Sequence, residues 1–470
     1  MKLRKLFVKE YKNLHDFDCV FSDSNITAFI GNNGSGKSNL LEVITKAFSN
    51  AKNYASSKDL DIIPPHSTPS VLNCIIEYES NGIVYELRYN SDVEGMFSRL
   101  KADPPILVRE EVSVFCNGTK LSKNELDSAL PDSILLYYAG ETLRQKGTAE
   151  NTYDKYYEEK LKRAASAELP SLRFMDYFSI GDLPLLLLTA AAYKGDYYTK
   201  FLNLINCDGI NSKFSLILKH PGKGKGTADT YWGATGFVKH FLDAARKYVS
   251  GTRDSGGSQY YMFFENAEDL KSISENEYDL FAKLHALRHY GYLDHIGIEL
   301  QKNDGTTFSS LRLSEGEKQL GLLLLLTTFT AQHECLYLFD EFDAYLHLNW
   351  QRTFSQMIRD TYVNGHILLT THSPASISKI YRKDVFIVKD GKCKQPLSDT
   401  YNRAIDEIIE EQLEVELRPK EYTDLVKEFR NAILHNRKDI AYSKLEQIKE
   451  VVGEDDPFLI TERIALERMK

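Results

Sequence analysis

No two cysteines in this sequence are spaced as a metal-binding or redox motif. The six, Cys19, Cys74, Cys116, Cys207, Cys335 and Cys393, are scattered without a Cys-x-x-Cys pair, which argues against both a disulfide framework and a zinc site and for reduced thiols. Long apolar runs are missing as well. Leu183 to Tyr193 and Leu320 to Leu326 fall short of the roughly twenty residues a membrane span needs, and the N-terminus lacks the apolar core of a signal peptide. The expectation is a soluble, cytoplasmic protein with no membrane contact. Positive charge is not in excess either: 58 basic against 67 acidic residues leave a net charge of −9, which excludes a globally basic nucleic-acid coat. No heptad pattern persists for three or more repeats, so a long coiled-coil arm is excluded. What is present is enough apolar material, 42% of 470 residues, for one large core and a smaller second module.

Four short motifs carry the chemistry. Residues Gly31, Asn32, Asn33, Gly34, Ser35, Gly36, Lys37 and Ser38 follow the β-branched run Asn25 to Ile30 and lead, through Asn39, into an amphipathic stretch ending near Phe48. In that strand, loop and helix context, glycines let backbone N–H groups converge on a phosphate, Lys37 reaches the β/γ oxygens and the Ser38 hydroxyl suits Mg2+. The second motif, Leu313-Ser-Glu-Gly-Glu-Lys-Gln319, precedes the apolar run Leu320 to Leu326. Ser314 with Glu317 is also an ordinary capping box, and both readings fit the same residues. The third, Cys335-Leu-Tyr-Leu-Phe-Asp-Glu341, is a buried strand ending in two carboxylates. Asp340 suits Mg2+ held through water, and Glu341 suits polarising the attacking water. In the fourth, Ile367 to Pro374, His372 ends another apolar strand. A lone histidine there is usually structural, but its position after the carboxylate strand favours function.

Together the four motifs resemble the ATPase head of the RecF, SMC and OLD branch of ABC proteins, over roughly residues 1–50 and 305–395. The opening Lys2 to Leu14 resembles the first strand pair of that branch. The resemblance implies an α/β, P-loop ABC-type head: a mixed sheet plus an antiparallel β-subdomain, with a helical insertion and a helical C-terminal tail. It implies ATP and Mg2+ as cofactors, Glu341 and His372 as catalytic residues, and Ser38 and Asp340 at the metal. Nucleotide would lie between Gly31 to Asn39 of one copy and Ser314, Gly316 and Glu317 of another, in a homo-oligomer of head-to-head dimers. Three departures stand out. Glu315 occupies a position where transporters carry Gly, Phe342 replaces the Pro that often follows Asp-Glu, and Asp343 with His347 stands at the D-loop. The Q-loop glutamine is sought in Tyr137 to Gln145.

The domain reading is an N-terminal lobe of the head over 1–150, a mainly helical insertion over 151–300 interrupted by a short strand-like Phe214 to Leu218, a C-terminal lobe over 301–395 and a helical partner or oligomerisation region over 396–470. Hairpins are expected at Asn81-Gly82, Asn117-Gly118 and Asp390-Gly391. Residues 213–225 read as a basic loop, with Lys213, Lys219, Lys223 and Lys225, and are a candidate DNA contact. A solvated loop with no partner is an equal alternative. Helix starts in the tail are expected at Pro419 and at Asp456-Pro457. From 401 to 470 there are 12 basic and 17 acidic residues, a poor nucleic-acid surface.

The tail contains no Toprim-like strands and no His-Asn-His pattern. The motifs and the acidic helical ending resemble the PtuA-like ATPases of Septu and retron-associated antiphage systems. That resemblance implies bacterial defence with a separate HNH nuclease subunit, PtuB-like, that the ATPase scaffolds or controls. A RecF-like DNA repair factor is the second reading. A third rests on Arg430 and His435, which match the Arg-x4-His pattern of HEPN ribonucleases, although the surrounding charge is acidic and His435 falls at a helix boundary.

Overall fold

A computed structural model describes residues 1–56, 72–91, 110–140, 144–152, 172–222, 226–361, 363–403, 420–435 and 437–453, with single residues elsewhere. The chain divides into two compact units, Met1–Asn402 and Arg403–Lys470.

The larger unit is organised by a seven-stranded sheet. Strands Ile26–Ile30, Cys335–Asp340 and Gly365–Thr371 are buried along their whole length, as expected of parallel strands covered on both faces. Gly365–Thr371 lies between the other two, Val385–Lys389 pairs parallel with Ile26–Ile30, and Ser133–Tyr138 and Met175–Phe178 extend the far side. The short antiparallel strand Lys392–Lys394 closes one edge.

A six-stranded sheet is built from Leu14–Val20, Lys2–Tyr11, Leu72–Ser80, Ile83–Ser91, Glu110–Cys116 and Thr119–Lys120, in that order. Its strands alternate inward and outward; Leu72–Ser80 reads buried, half-buried throughout, the mark of a sheet packed on one face. Asn81 and Gly82, Asn117 and Gly118, and Asp390 and Gly391 all take positive φ, as tight hairpin turns require. The helix Lys37–Ser56 lies between the two sheets. Leu40, Leu41, Ile44 and Phe48 share one core with Leu6, Ile76 and Tyr78 of the antiparallel sheet and with Leu136, Leu338 and Leu368 of the central one. This double burial fixes the start of the helix, and therefore the phosphate loop, against the ends of the central strands.

The stretch 151–300 differs from the mainly helical expectation. It contains helices Leu183–Tyr193, Tyr197–Leu204, Gly236–Arg246 and Glu277–His289. It also supplies most of a third, five-stranded antiparallel sheet in the order Val249–Ser255, Gln259–Phe264, Gly209–Lys219, Leu293–Gln301 and Thr307–Ser309. The cause is visible in Gln259–Phe264: Tyr261 and Phe263 face outward while Tyr260, Met262 and Phe264 face the core, so an almost unbroken aromatic run hides the period of two. The basic segment is likewise not a loop throughout. Its first part is strand, where Lys213 pairs with Glu265 at 2.6 Å and Lys219 with Asp294 at 3.1 Å; Lys223 and Lys225 lie outside the described residues.

In the smaller unit, helices Lys420–Leu434 and Lys438–Val452 bury Phe429, Ala432, Ala441, Leu445 and Ile448 in a core of their own. His435 is exposed, with Nδ1 2.9 Å from the Asn431 carbonyl of its own helix. The expected helix starts at Pro419 and Asp456-Pro457 lie outside the described residues.

Candidate nucleotide site

The loop after Ile30 turns on two glycines with positive φ, Gly34 at +77° and Gly36 at +111°. A side chain at Gly31 would collide with the Val388 carbonyl, and one at Gly36 would come within 2.8 Å of Leu14. Asn13 braces the loop from outside, donating to the Gly34 carbonyl at 2.8 Å and accepting from Asn39 Nδ2 at 2.7 Å. The Asn39 amide therefore holds the loop's brace. Asn32, Asn33 and Gly34 are exposed. The helix that starts at Lys37 leaves its first N–H groups without an intrahelical acceptor. The Ser35 hydroxyl oxygen is buried and has no hydrogen-bond partner among the described residues.

Lys37 is almost fully buried, with Nζ donating to the Gly31 carbonyl at 2.8 Å and the Asn32 carbonyl at 3.2 Å. Its amine also lies 3.0 Å from His372 Nε2. Burial pulls the ammonium down to about 8, opposed by the nearby charges of Asp340, Glu341 and Asp343. His372 is lowered by burial and by the Lys37 charge, while Glu341, with Oε1 3.7 Å from His372 Nε2, pulls the other way.

Ser38 donates to Asp340 Oδ1 at 3.1 Å, and Thr370 donates to the same oxygen. Burial raises the Asp340 carboxyl to about 6 despite these bonds. Glu341 takes φ +50°, a left-handed conformation that costs a non-glycine residue about 1–2 kcal/mol. It is held there because its N–H donates to Thr370 Oγ1 at 2.9 Å and its carbonyl accepts from Ala344 N at 3.1 Å. Thr370, unremarkable in the sequence, thus positions both carboxylate residues. The register that aligns Phe339 with Leu369 also carries it to Asp340.

These groups fit a nucleoside triphosphate with a divalent cation. The loop offers converging N–H groups, an ammonium and a buried hydroxyl. Ser38 Oγ and Asp340 Oδ1 supply two hard oxygens at one point, where Mg2+ would complete its shell with water and phosphate oxygens. Bound there, the ion would neutralise charge on the phosphates. The end of the Cys335–Asp340 strand puts Glu341 next to Asp340, and His372 Nε2 lies 3.7 Å from the Glu341 carboxylate and 3.0 Å from the Lys37 amine.

The second motif stands apart. Ser314 caps helix Glu315–Phe329: its oxygen accepts from the Glu317 N–H at 3.3 Å, while Glu317 Oε2 accepts from Ser314 N at 2.8 Å and Oγ at 2.7 Å. Ser314 is exposed, and among the described residues its hydrogen bonds reach nothing on the phosphate loop. Gly316 is needed for close approach, since a side chain there would come within 2.6 Å of the Tyr345 carbonyl. Gln319, fully buried, donates to the Phe342 carbonyl. The segment after Glu341 is therefore braced by this helix. Phe342 buries its ring against Phe354 at 5.1 Å, and Asp343 accepts from Thr371 and Ser376. His347 is exposed at the start of helix Leu348–Asp360. Of the stretch searched for the Q-loop residue, Gln145 is buried with an unpartnered Oε1, and 141–143 lie outside the described residues.

The RecF/RecN/SMC N-terminal domain family matches residues 2–394. The retron Vc95 probable ATPase of Vibrio cholerae is 23% identical, over 94% of this chain and 86% of that protein. The retron Ec83 probable ATPase of Escherichia coli is 22% identical, over 100% of this chain and 87% of that protein. The DNA replication and repair protein RecF of Leptospira biflexa is 29% identical, over 24% of this chain and 36% of that protein.

Proposed function

From the premise that the chain belongs to the RecF/RecN/SMC N-terminal domain family and is an ATP hydrolase with an ABC-type head, we propose that it is the ATP-driven subunit of a retron-associated antiphage system, controlling a separate HNH nuclease. Full-length likeness to two retron probable ATPases supports the retron setting. The nuclease is assigned to another chain because the PtuA-like ATPases that the motifs resemble work with a separate HNH subunit. The region from 396 onward is the partner and oligomerisation region; 1–150 and 301–395 form the two lobes of the head, and 151–300 the insertion.

One observation carries the mechanism. Lys37, Ser38, Asp340, Glu341 and His372 converge, whereas among the described residues exposed Ser314 bonds only within its own helix cap. The half-site around Lys37 is therefore completed by Ser314, Gly316 and Glu317 of a second copy. Glu341 accepts the proton of the attacking water, His372 contacts the terminal phosphate, and the N-terminus of helix Glu315–Phe329 faces it from across the interface. Hydrolysis removes the charge that both copies were holding.

Lys37→Ala is expected to weaken ATP binding by about 100-fold, the scale of lost charge-assisted hydrogen bonds. Glu341→Gln is expected to keep ATP binding, stop turnover and raise the dimer fraction with ATP in sedimentation. Equal nucleotide affinity of Lys37→Ala and wild type would remove the basis of the proposal. Co-purification with the HNH protein encoded nearest the gene, with and without ATP, tests the partner. A RecF-like role has local support in the match to RecF; hydrolysis strongly stimulated by DNA, with no associated nuclease, would select it instead.

A further inference from the structure

The end of the central sheet remote from the phosphate loop carries a second cavity. Strand Val385–Lys389 runs parallel to Ile26–Ile30. The turn Arg382–Asp384 before it therefore lies where those strands begin, and Gly31 where they finish. A five-residue strand separates the two ends by about 17 Å. Asp384 is tied to Ser22, which precedes the same strand. The cavity has a volume of about 560 Å³ and is lined by Tyr381, Arg382, Lys383, Gln395, Asp399 and Tyr401.

Its aromatic wall is preformed. The Tyr381 and Tyr401 rings stack with centroids 4.7 Å apart and planes at 26°. The Arg359 guanidinium lies 5.6 and 5.2 Å from the two ring centres and donates to the Lys379 carbonyl and to Asp360, so its charge is already engaged. Lys379 is committed to Asn402 at 2.7 Å. Two other cations are less engaged, although Lys383 lies close enough to Asp384 to lower its carboxyl. Arg382 spends Nε on the Pro396 carbonyl at 2.7 Å, which leaves its terminal N–H groups, and among the described residues neither it nor Lys383 forms an ion pair.

A stack that merely covered the sheet end would bury its rings and need no cavity. Tyr381 instead remains 46% exposed beside Arg382 and Lys383, which are exposed too. A flat aromatic face next to exposed cations is the pairing that recognises a base together with its phosphate. Gln395 donates Nε2 to the Lys383 carbonyl at 3.2 Å, leaving its oxygen as an acceptor. Asp399 is a second acceptor on the rim, and both suit a base that carries an amino group.

We propose that this cavity binds a nucleotide unit, with the base stacked on Tyr381 and the phosphate held by Arg382 and Lys383. The unit is either a free nucleotide or an unpaired nucleotide of a single strand. The site is separate from the ATP site and does not depend on nuclease control.

The test uses the full-length chain carrying Lys37→Ala, so that the phosphate loop does not compete. Two probes are titrated, AMP by calorimetry and a labelled twelve-residue oligo(dA) by anisotropy. At least one is expected to bind, with affinity falling as salt rises. Tyr381→Ala and Lys383→Glu are each expected to weaken it by about 10-fold or more, and Tyr381→Phe to leave it within about 2-fold. Oligonucleotide binding alone assigns the site to single strands, and AMP binding alone to free nucleotide. In the chain that retains Lys37, unchanged ATP hydrolysis by the Tyr381 and Lys383 variants shows that they fold. No binding of either probe by about 1 mM, or equal binding by the variants and their parent, overturns the proposal.

Discussion

Thr370 is a single hydroxyl that serves two masters, donating to Asp340 and accepting from the Glu341 backbone N–H. Groups that orient a metal-binding or catalytic side chain typically contribute about 10–100-fold to activity. Thr370→Val keeps the shape of the strand and is expected to lower ATP turnover by that factor while leaving nucleotide affinity nearly unchanged; a fluorescent-nucleotide titration beside a phosphate-release assay separates the two. At the same scale, His366 reports on pH. It is fully buried, with Nδ1 accepting from Leu3 N at 3.2 Å and Nε2 3.0 Å from Thr27 Oγ1, and burial pushes it down to about 3. An unfolded histidine titrates near 6.5. Below that pH the unfolded chain takes up a proton that the folded chain refuses, so this group lowers stability as pH falls from about 6.5 to about 3, at most by about 1.4 kcal/mol per pH unit. Buried Asp176, raised to about 7 by burial, works in the opposite sense, its contribution being lost as pH rises through that value. Comparing urea unfolding of wild type and His366→Gln at pH 7.5 and 5 cancels the Asp176 effect. The variant is expected to lose less stability on acidification, and parallel losses would contradict the assignment.

The hairpin Val385–Lys394 is the element that backs the phosphate loop. A side chain at Gly391, where φ is +70°, would strike the Asn13 carbonyl, and Asn13 in turn holds Gly34. Gly391→Ala is therefore expected to destabilise the head and weaken ATP binding together, by about 1–3 kcal/mol in stability; normal thermal unfolding with normal binding would refute the coupling. This hairpin was legible in the sequence because Asp390-Gly391 supplies the positive φ pair its turn needs. The central strands were legible as unbroken apolar runs, and with them the fold class. The five-stranded sheet was legible only at Phe214 to Leu218 of its middle strand, because Tyr260 to Phe264 put aromatic rings on both faces. At the candidate site, the residue types at Lys37, Asp340, Glu341 and His372 announce phosphate chemistry. Thr370 does not, since a threonine in a strand reads as an ordinary β-former and only the pairing of Gly365–Thr371 with Cys335–Asp340 brings it to the carboxylates. Tyr381 and Tyr401 are joined by no periodicity at all.

For the whole molecule, the two units have separate cores. A chain ended after Asn402 is expected to fold and to bind ATP with affinity within about 3-fold of the full chain, since no loop contact described above involves the smaller unit; aggregation of that fragment would show that the larger unit depends on the smaller. The sheet order has a further consequence for how the protein is made. Ile26–Ile30 lies between Gly365–Thr371 and Val385–Lys389, so its neighbours leave the ribosome about 340 and 360 residues after it does. At the roughly 5–20 residues per second of synthesis, an apolar strand waits tens of seconds with both edges open. Nascent chains of this protein should therefore engage a holding chaperone early, and release it only when the last parallel strand has been translated.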